Sequence, residues 1–339
     1  MKKLLFVLFV VPVLSLIAQP PGYYDSAIGL TGEELKAALY DIIKGHTEYT
    51  YDDLRDFILM DTDEDPNNQN NIILLYTGRS QAKNTFGGGV NDWNREHVWA
   101  KSHGDFGTVP PAGTDAHHVR PTDASVNSDR GNKDFDNGGQ QHPEATGCYY
   151  DGDSWEPRDE VKGDVARMIF YMSVRYEGEN GEPDLEVVDE VNTSPAPEHG
   201  KFSALYEWHQ QDPPDAFEMN RNEVIYSYQG NRNPFIDHPE FLILIYDPTN
   251  AISEYSNGVD FTLFPNPANE KTTVNFMNSI SGDGEVHIRN ILGQVVISQK
   301  LKNGTSQTKL DTSLLQDGLY IVSIEIAGNI STGKLNVKH

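Results

Sequence analysis

The apolar residues of this 339-residue chain change their period near residue 255, and one helical bundle or one sheet cannot absorb both patterns. Upstream they recur every three or four positions. In "GDVARMIFYMSVRYEG" this spacing joins Val165, Met168, Ile169, Met172 and Tyr176. Asp164 sits where a helix N-terminus favours negative charge and Gly178 can close the other end, so a central core helix is predicted. Thr31 with Glu34 predicts a capping box ahead of a second helix that carries Leu35, Ala38, Leu39 and Ile42. Residues 179–200 are acidic, proline-containing and aperiodic, which reads as a long surface excursion, and 202–228 return to helical spacing. Beyond Gly258 the runs "TTVNF", "GEVHIRN", "QVVISQKL" and "GLYIVSIEI" alternate between Gly, Asn and Asp turns, the pattern of a small all-β sandwich. The expected fold class is α+β, with a mainly helical domain over 19–250, a linker over 251–260 and a β-sandwich over 261–339.

Composition places the chain outside the cell. Met1–Lys3 precede an apolar run from Leu4 to Ala18 that is too short to span a bilayer, so residues 1–18 are expected to be a secretory signal. The net charge of −25 favours solubility and opposes diffuse adhesion to nucleic acid or anionic lipid; a polyanionic substrate must be held locally. Cys148 stands alone, so no internal disulfide can staple an exported fold, and stability must come from a packed core or a metal.

Two polar stretches carry the chemistry: "NDWNREHVWAKSHG" at 91–104 and "DAHHVRPTDASVNSDRGNKDF" at 115–135. Hydrolysis of a phosphodiester needs a base to activate water, a cation against the growing phosphoryl charge, and donors to hold the phosphate. An imidazole can accept a proton near neutral pH, which suits His97. Glu96 and Asn127 offer oxygen ligands, better matched to Mg²⁺, Mn²⁺ or Ca²⁺ than to zinc. "TDASVNSDRGN" can begin a helix with Asp123 as N-cap, which would put Asn127 and Arg130 on one face. Neighbours in a regular strand point to opposite faces, so a bend or strand end is required if Glu96 and His97 are to serve one site.

These residues resemble a known family. "WNREHVWAKSH", "DAHHVRPTDASVNSDRGN", "GDVARMIFYM" and "NEVIYSYQGNRNPFIDHPEF" are similar, in order, to the endonuclease I family of secreted, non-specific bacterial nucleases, in the ββα-metal (His-Me finger) group. The resemblance implies cleavage of DNA, and often RNA, with little sequence preference and with 5′-phosphate ends. It implies that His97 is the general base, that Glu96 and Asn127 ligate a single Mg²⁺, and that Arg130 and Asn132 lie near the site. Some relatives bind the cleaved phosphate with an arginine between the base and the helix. Here only Lys101 is cationic between His97 and Asp115, which leaves Arg120 or an arginine from elsewhere for that role. The better-studied relatives also carry disulfides that this chain lacks. From Phe261, "LFPNPANEKTTVNF", "IRNILGQVV" and "DGLYIVSIEIAGNISTGKLNVKH" resemble the type A sorting domain of the type IX secretion system. That implies export through the secretion machinery to the cell surface or the medium.

Other residues carry weaker expectations. Of His117 and His118 at most one can join a metal centre, and a structural hydrogen-bonding role is favoured. "DTDEDPNNQN" places Asp61, Asp63 and Asp65 like a calcium loop, but Pro66 and Ile72 stand where such a loop needs glycine and glutamate. Arg232 could grip a phosphate or could fix its loop to nearby carboxylates. Arg79, Lys83, Arg95, Lys101, Arg120, Arg130 and Lys133 fall in the motif region, which predicts a cationic cleft on an anionic body, with Arg95 and Lys101 contacting substrate. A monomer is expected. The principal reading is a secreted, metal-dependent endonuclease; the alternative is an inactive nucleic-acid-binding or adhesion protein on the same fold.

Overall fold

The computed structural model describes residues 19–246, 259, 261–276, 279–290, 294–316, 318–326 and 329–339. The expected signal at 1–18 and nearly all of the expected linker lie outside the described residues. Backbone contacts divide the chain into Met1–Tyr246 and Asp247–His339.

In the first unit the strongest sequence signal becomes the central helix, Lys162–Arg175, and all of its residues are buried. Val165, Met168, Ile169 and Met172 join one apolar core with Leu35, Leu39 and Ile43 of the helix Gly32–Ile43 and with Leu205 and Trp208 of the helix Phe202–Gln211. Gly178 adopts a left-handed conformation past the helix end. Thr31 is the N-cap of the first helix, but its side chain makes no cap bond. The capping box forms instead at Thr50 and Asp53: Asp53 N donates to Thr50 Oγ1 at 3.2 Å and Thr50 N to Asp53 Oδ2 at 2.8 Å. That box fixes the start of the helical stretch at Tyr51.

The unit is α+β and more mixed than a mainly helical domain. Besides a ribbon in which Trp93–His97 (β1) pairs antiparallel with Val119–Asp123 (β2), its described residues form three small sheets, one of them inside the supposed excursion, where Glu186–Val187 pairs with Glu198–His199. Strands of two or three residues are too short to show a period in sequence. In the second unit the described residues form two antiparallel sheets, of three and four strands, that supply one core including Val274, Phe276, Val286, Ile288, Val322, Ile324, Leu335 and Val337. Val286 with Ile288, and Val322 with Ile324, are the inward positions of alternating strands.

Candidate active site

The ribbon is continuous with a helix: β2 ends at Asp123 and Ala124–Arg130 (α1 of the site) begins at the next residue. Asp123 is the N-cap, although its carboxylate turns away to accept from Thr77 Oγ1 at 2.7 Å and from Arg79. β1 ends at His97, and the chain bends at Val98 and Trp99. The strand end that the pairing of Glu96 with His97 requires is therefore present. Glu96, His97 and Asn127 all line one cleft of about 880 Å³.

Each of the three is held by partners that leave one reactive atom over. The Glu96 carboxylate is buried; Oε1 accepts from Tyr76 Oη at 2.7 Å and lies 3.4 Å from Arg130 Nη1. Burial pushes its pKa up, while Arg130 and the tyrosine hydroxyl pull it back. Asn127 Nδ2 donates to Asn94 Oδ1 at 2.7 Å and to the Arg95 carbonyl at 3.1 Å, which uses both amide hydrogens and fixes the side-chain oxygen as its remaining atom. His97 Nε2 lies 3.0 Å from the Gly113 carbonyl. A carbonyl only accepts, so Nε2 carries the hydrogen and Nδ1 keeps the lone pair. Burial, followed by His118 and the nearby cations Lys101 and Arg95, holds the His97 pKa down at about 3, so the ring is neutral at physiological pH. Its plane is set by Tyr51, stacked at 5.5 Å and 24°.

Glu96 and Asn127 together offer hard oxygen donors on the cleft wall, the set expected for Mg²⁺, Mn²⁺ or Ca²⁺ with water filling the other positions. Among the described residues a second grouping, His103 with Asp134 and His199, has the spacing of a metal cluster. Its hydrogen bonds argue for a structural network. Asp134 already accepts from Thr193 N, Thr193 Oγ1 and Gly200 N at 2.8–2.9 Å, and the His103 nitrogens face the Glu198 and Asn132 carbonyls at 2.7 and 2.8 Å. Inserting a cation would displace donors that satisfy a buried carboxylate.

Several expected site residues are placed otherwise. Arg130 is buried and does not line the cleft. It donates to the His97 carbonyl at 3.1 Å and the Val98 carbonyl at 2.8 Å, so it clamps the end of β1 rather than touching substrate. Arg120 is buried between Asp63, at 2.6 Å, and Asp164, at 3.2 Å, and does not line the cleft. Arg232 is buried against Asp237 and Glu223, both at 2.6 Å, which makes it a loop clamp. Asp63 anchors Arg120 and Arg221, Asp65 accepts from Ser80 Oγ and Asn67 N, and Asp61 accepts from Tyr228, so their carboxylates do not converge on a calcium ion. His117 and His118 approach the Asn231 and Ala112 carbonyls at 3.3 and 2.8 Å, consistent with a hydrogen-bonding role.

The cationic cleft is correspondingly modest. Arg79 pairs with Asp123, Lys83 with Glu64, and Lys133 caps the Asp129 carbonyl; of the seven motif cations only Arg95 and Lys101 line the cleft. Arg95 packs over Tyr51, its guanidinium carbon 3.4 Å from the ring centroid, and donates to the Tyr51 carbonyl. Lys101 has no carboxylate partner among the described residues. Asn132 also lines the cleft, held by Ser102 and Ser194 at 3.2 and 3.0 Å. Sequence reasoning missed Tyr51, Tyr76, Asn94 and Gly113. Asn94 was within reach of it, since it is two residues before Glu96 on the same strand face.

Comparison with known proteins fits this arrangement. Residues 31–240 match the family Endonuclease I, and residues 262–338 match the Secretion system C-terminal sorting domain. The chain is 63% identical over 220 residues to an extracellular ribonuclease of Bacillus subtilis (strain 168), a match covering 65% of this chain and 76% of that protein. It is 60% identical over 230 residues to an extracellular ribonuclease of Bacillus amyloliquefaciens, covering 68% and 79%. An extracellular deoxyribonuclease of Aeromonas hydrophila is 32% identical over 129 residues, 36% of this chain and 48% of that protein.

Proposed function

The chain belongs to the Endonuclease I family and is a secreted nuclease with a C-terminal sorting domain, and from that premise we propose that it hydrolyses RNA and DNA with a divalent ion held by Glu96 and Asn127 and with His97 as general base. The observation that carries the reading is the His97 ring, turned by the Gly113 carbonyl so that Nδ1 is left without a hydrogen-bond partner among the described residues, in the same cleft as two oxygen ligands from Glu96 and Asn127. A bound Mg²⁺, Mn²⁺ or Ca²⁺ supplies the charge that offsets the developing negative charge on the phosphoryl oxygens.

The chain's own groups do the rest. His97 Nδ1 takes a proton from a water molecule, whose oxygen bonds to phosphorus as the bond to the 3′ oxygen breaks. The products are a 5′-phosphate and a 3′-hydroxyl, the latter protonated from solvent. The Gly113 carbonyl and the Tyr51 ring hold the imidazole in the tautomer and plane that this step needs. Arg95 and Lys101 hold the phosphate, since Arg120, Arg130 and Arg232 are consumed inside the fold. Because water attacks, no 2′-hydroxyl is needed, which allows both polymers; the relatives named ribonucleases support RNA and the one named deoxyribonuclease supports DNA.

Incubating circular plasmid and structured RNA with wild type, wild type plus EDTA, and His97→Ala tests the reading. Cleavage should need the cation and fall by about 10²–10⁴-fold in the variant. If His97→Ala cuts at the wild-type rate, another group is the base. EDTA-insensitive cutting would remove the metal, and binding without cutting by wild type would favour the adhesion alternative.

A further inference from the structure

Beyond the catalytic trio, a second stretch of the cleft lining is Tyr51 and the turn Gly88–Val90, which bear no charged or amide side chain. The turn is a built feature. Gly87 N donates to the Trp93 carbonyl at 3.0 Å, and Gly89 N donates to Asp92 Oδ2 at 2.8 Å. A Cβ on Gly87 would crowd the Asp92 carboxylate around which the turn wraps. At Gly88, by contrast, a Cβ would meet nothing within 4 Å. Val90 is 68% exposed; the other exposed large apolar side chains described in this unit, Ile28, Val109 and Met219, are not part of the cleft lining. Tyr51 links this shelf to the chemistry, because its ring contacts both His97 and the Arg95 guanidinium.

We propose that the shelf formed by Gly88, Gly89 and Val90, beside Tyr51, is a nucleobase subsite that receives the unstacked base of a nucleotide flanking the scissile phosphate, so that single-stranded nucleic acid is the preferred substrate. The inference rests on the nuclease reading of the same cleft. Every base has an apolar π-face that packs on aliphatic side chains and peptide planes, which Val90 and the open glycine turn offer while the Tyr51 ring already carries His97 and Arg95, and such packing does not depend on base identity. The shelf offers no side-chain amide or carboxylate to read base edges, so it would add affinity without sequence preference. A base in a duplex is stacked and paired, and reaches a shelf beside its own phosphate only by leaving the helix.

The test is a single-stranded oligonucleotide with one tetrahydrofuran abasic residue at its centre, in DNA and RNA versions, with cutting mapped phosphate by phosphate. One of the two phosphates flanking the abasic residue should be cut about tenfold more slowly than intact phosphates of the same molecule. Gly88→Leu fills open space on an unstrained backbone. It should slow the intact phosphates about tenfold and leave the abasic-flanking one nearly unchanged, and a paired duplex should be cut about tenfold more slowly than the strand. Equal cutting across the abasic position, or a Gly88→Leu effect that is uniform along the molecule, overturns the subsite. If wild type cuts no phosphate at all, the nuclease reading beneath it fails first.

Discussion

Raising salt should weaken substrate binding by an amount set by two cations. Each phosphate neutralised by a lysine or arginine releases counterions, and for duplex DNA the logarithm of the binding constant falls with log salt at about −0.9 per contact. Among the described residues, Arg95 and Lys101 are the lysine and arginine side chains that line the cleft. A slope near −1.8 means that a fourfold rise, from about 50 to about 200 mM, lowers affinity about 12-fold. Repulsion by the acidic body, of net charge −25, is screened over the same range and makes that figure an upper value. If all seven motif cations touched phosphate, the loss would be about 6,000-fold. The assay is fluorescence anisotropy of a labelled duplex with His97→Ala, at a fixed low concentration of divalent ion. Lys101→Met should reduce the loss to about 3.5-fold. A loss beyond about a hundredfold, or an unchanged slope in Lys101→Met, refutes the two-cation cleft.

Three further outcomes follow from the contacts around the site. Tyr76→Phe removes the hydroxyl that holds Glu96 Oε1 and should weaken divalent-ion binding about tenfold or more by titration calorimetry; unchanged affinity would mean that Glu96 is not a ligand. At Gly113 a Cβ would come within 2.7 Å of the Gly107 carbonyl oxygen and 2.9 Å of Thr108 backbone atoms. Gly113→Ala should therefore shift the carbonyl that orients His97 and lower kcat by about tenfold to a hundredfold, while an unaltered kcat would show that this hydrogen bond is dispensable. Burial holds His117, His118 and His209 at about 4 in the folded protein, whereas the unfolded chain protonates its histidines near 6.5. The unfolded state then binds more protons between those values. Stability is full above about pH 6.5 and is lost as pH falls toward 4, at up to about 4 kcal/mol per pH unit for the three together. Urea midpoints at pH 7, 6 and 5 measure this, and a constant midpoint contradicts it.

The parts of the site that were legible in sequence are those whose partners lie nearby or whose side chain has one plausible use. Glu96 and His97 are adjacent and Asn127 sits on the first helix after them, so residue type and local structure sufficed to nominate them. The arginines were the hardest to read, because a guanidinium serves a phosphate and a buried carboxylate equally well. Asp63 claims Arg120 from 57 residues away and Arg221 from 158, separations that no local pattern reveals. The same limit hid Tyr76 and Gly113, whose roles exist only once the ribbon and its flanking turns are folded. Thr31 with Glu34 carried the letters of a capping box and makes no cap bond, whereas Thr50 with Asp53, also at the surface, forms the box and sets Tyr51 beside His97.

The most direct measurement is the location of bound manganese by anomalous X-ray scattering from crystals of His97→Ala grown with Mn²⁺. An ion bound to Glu96 Oε2 and Asn127 Oδ1, facing the position vacated by the imidazole, is the predicted result. An ion seated among His103, Asp134 and His199, with none between Glu96 and Asn127, would contradict the account.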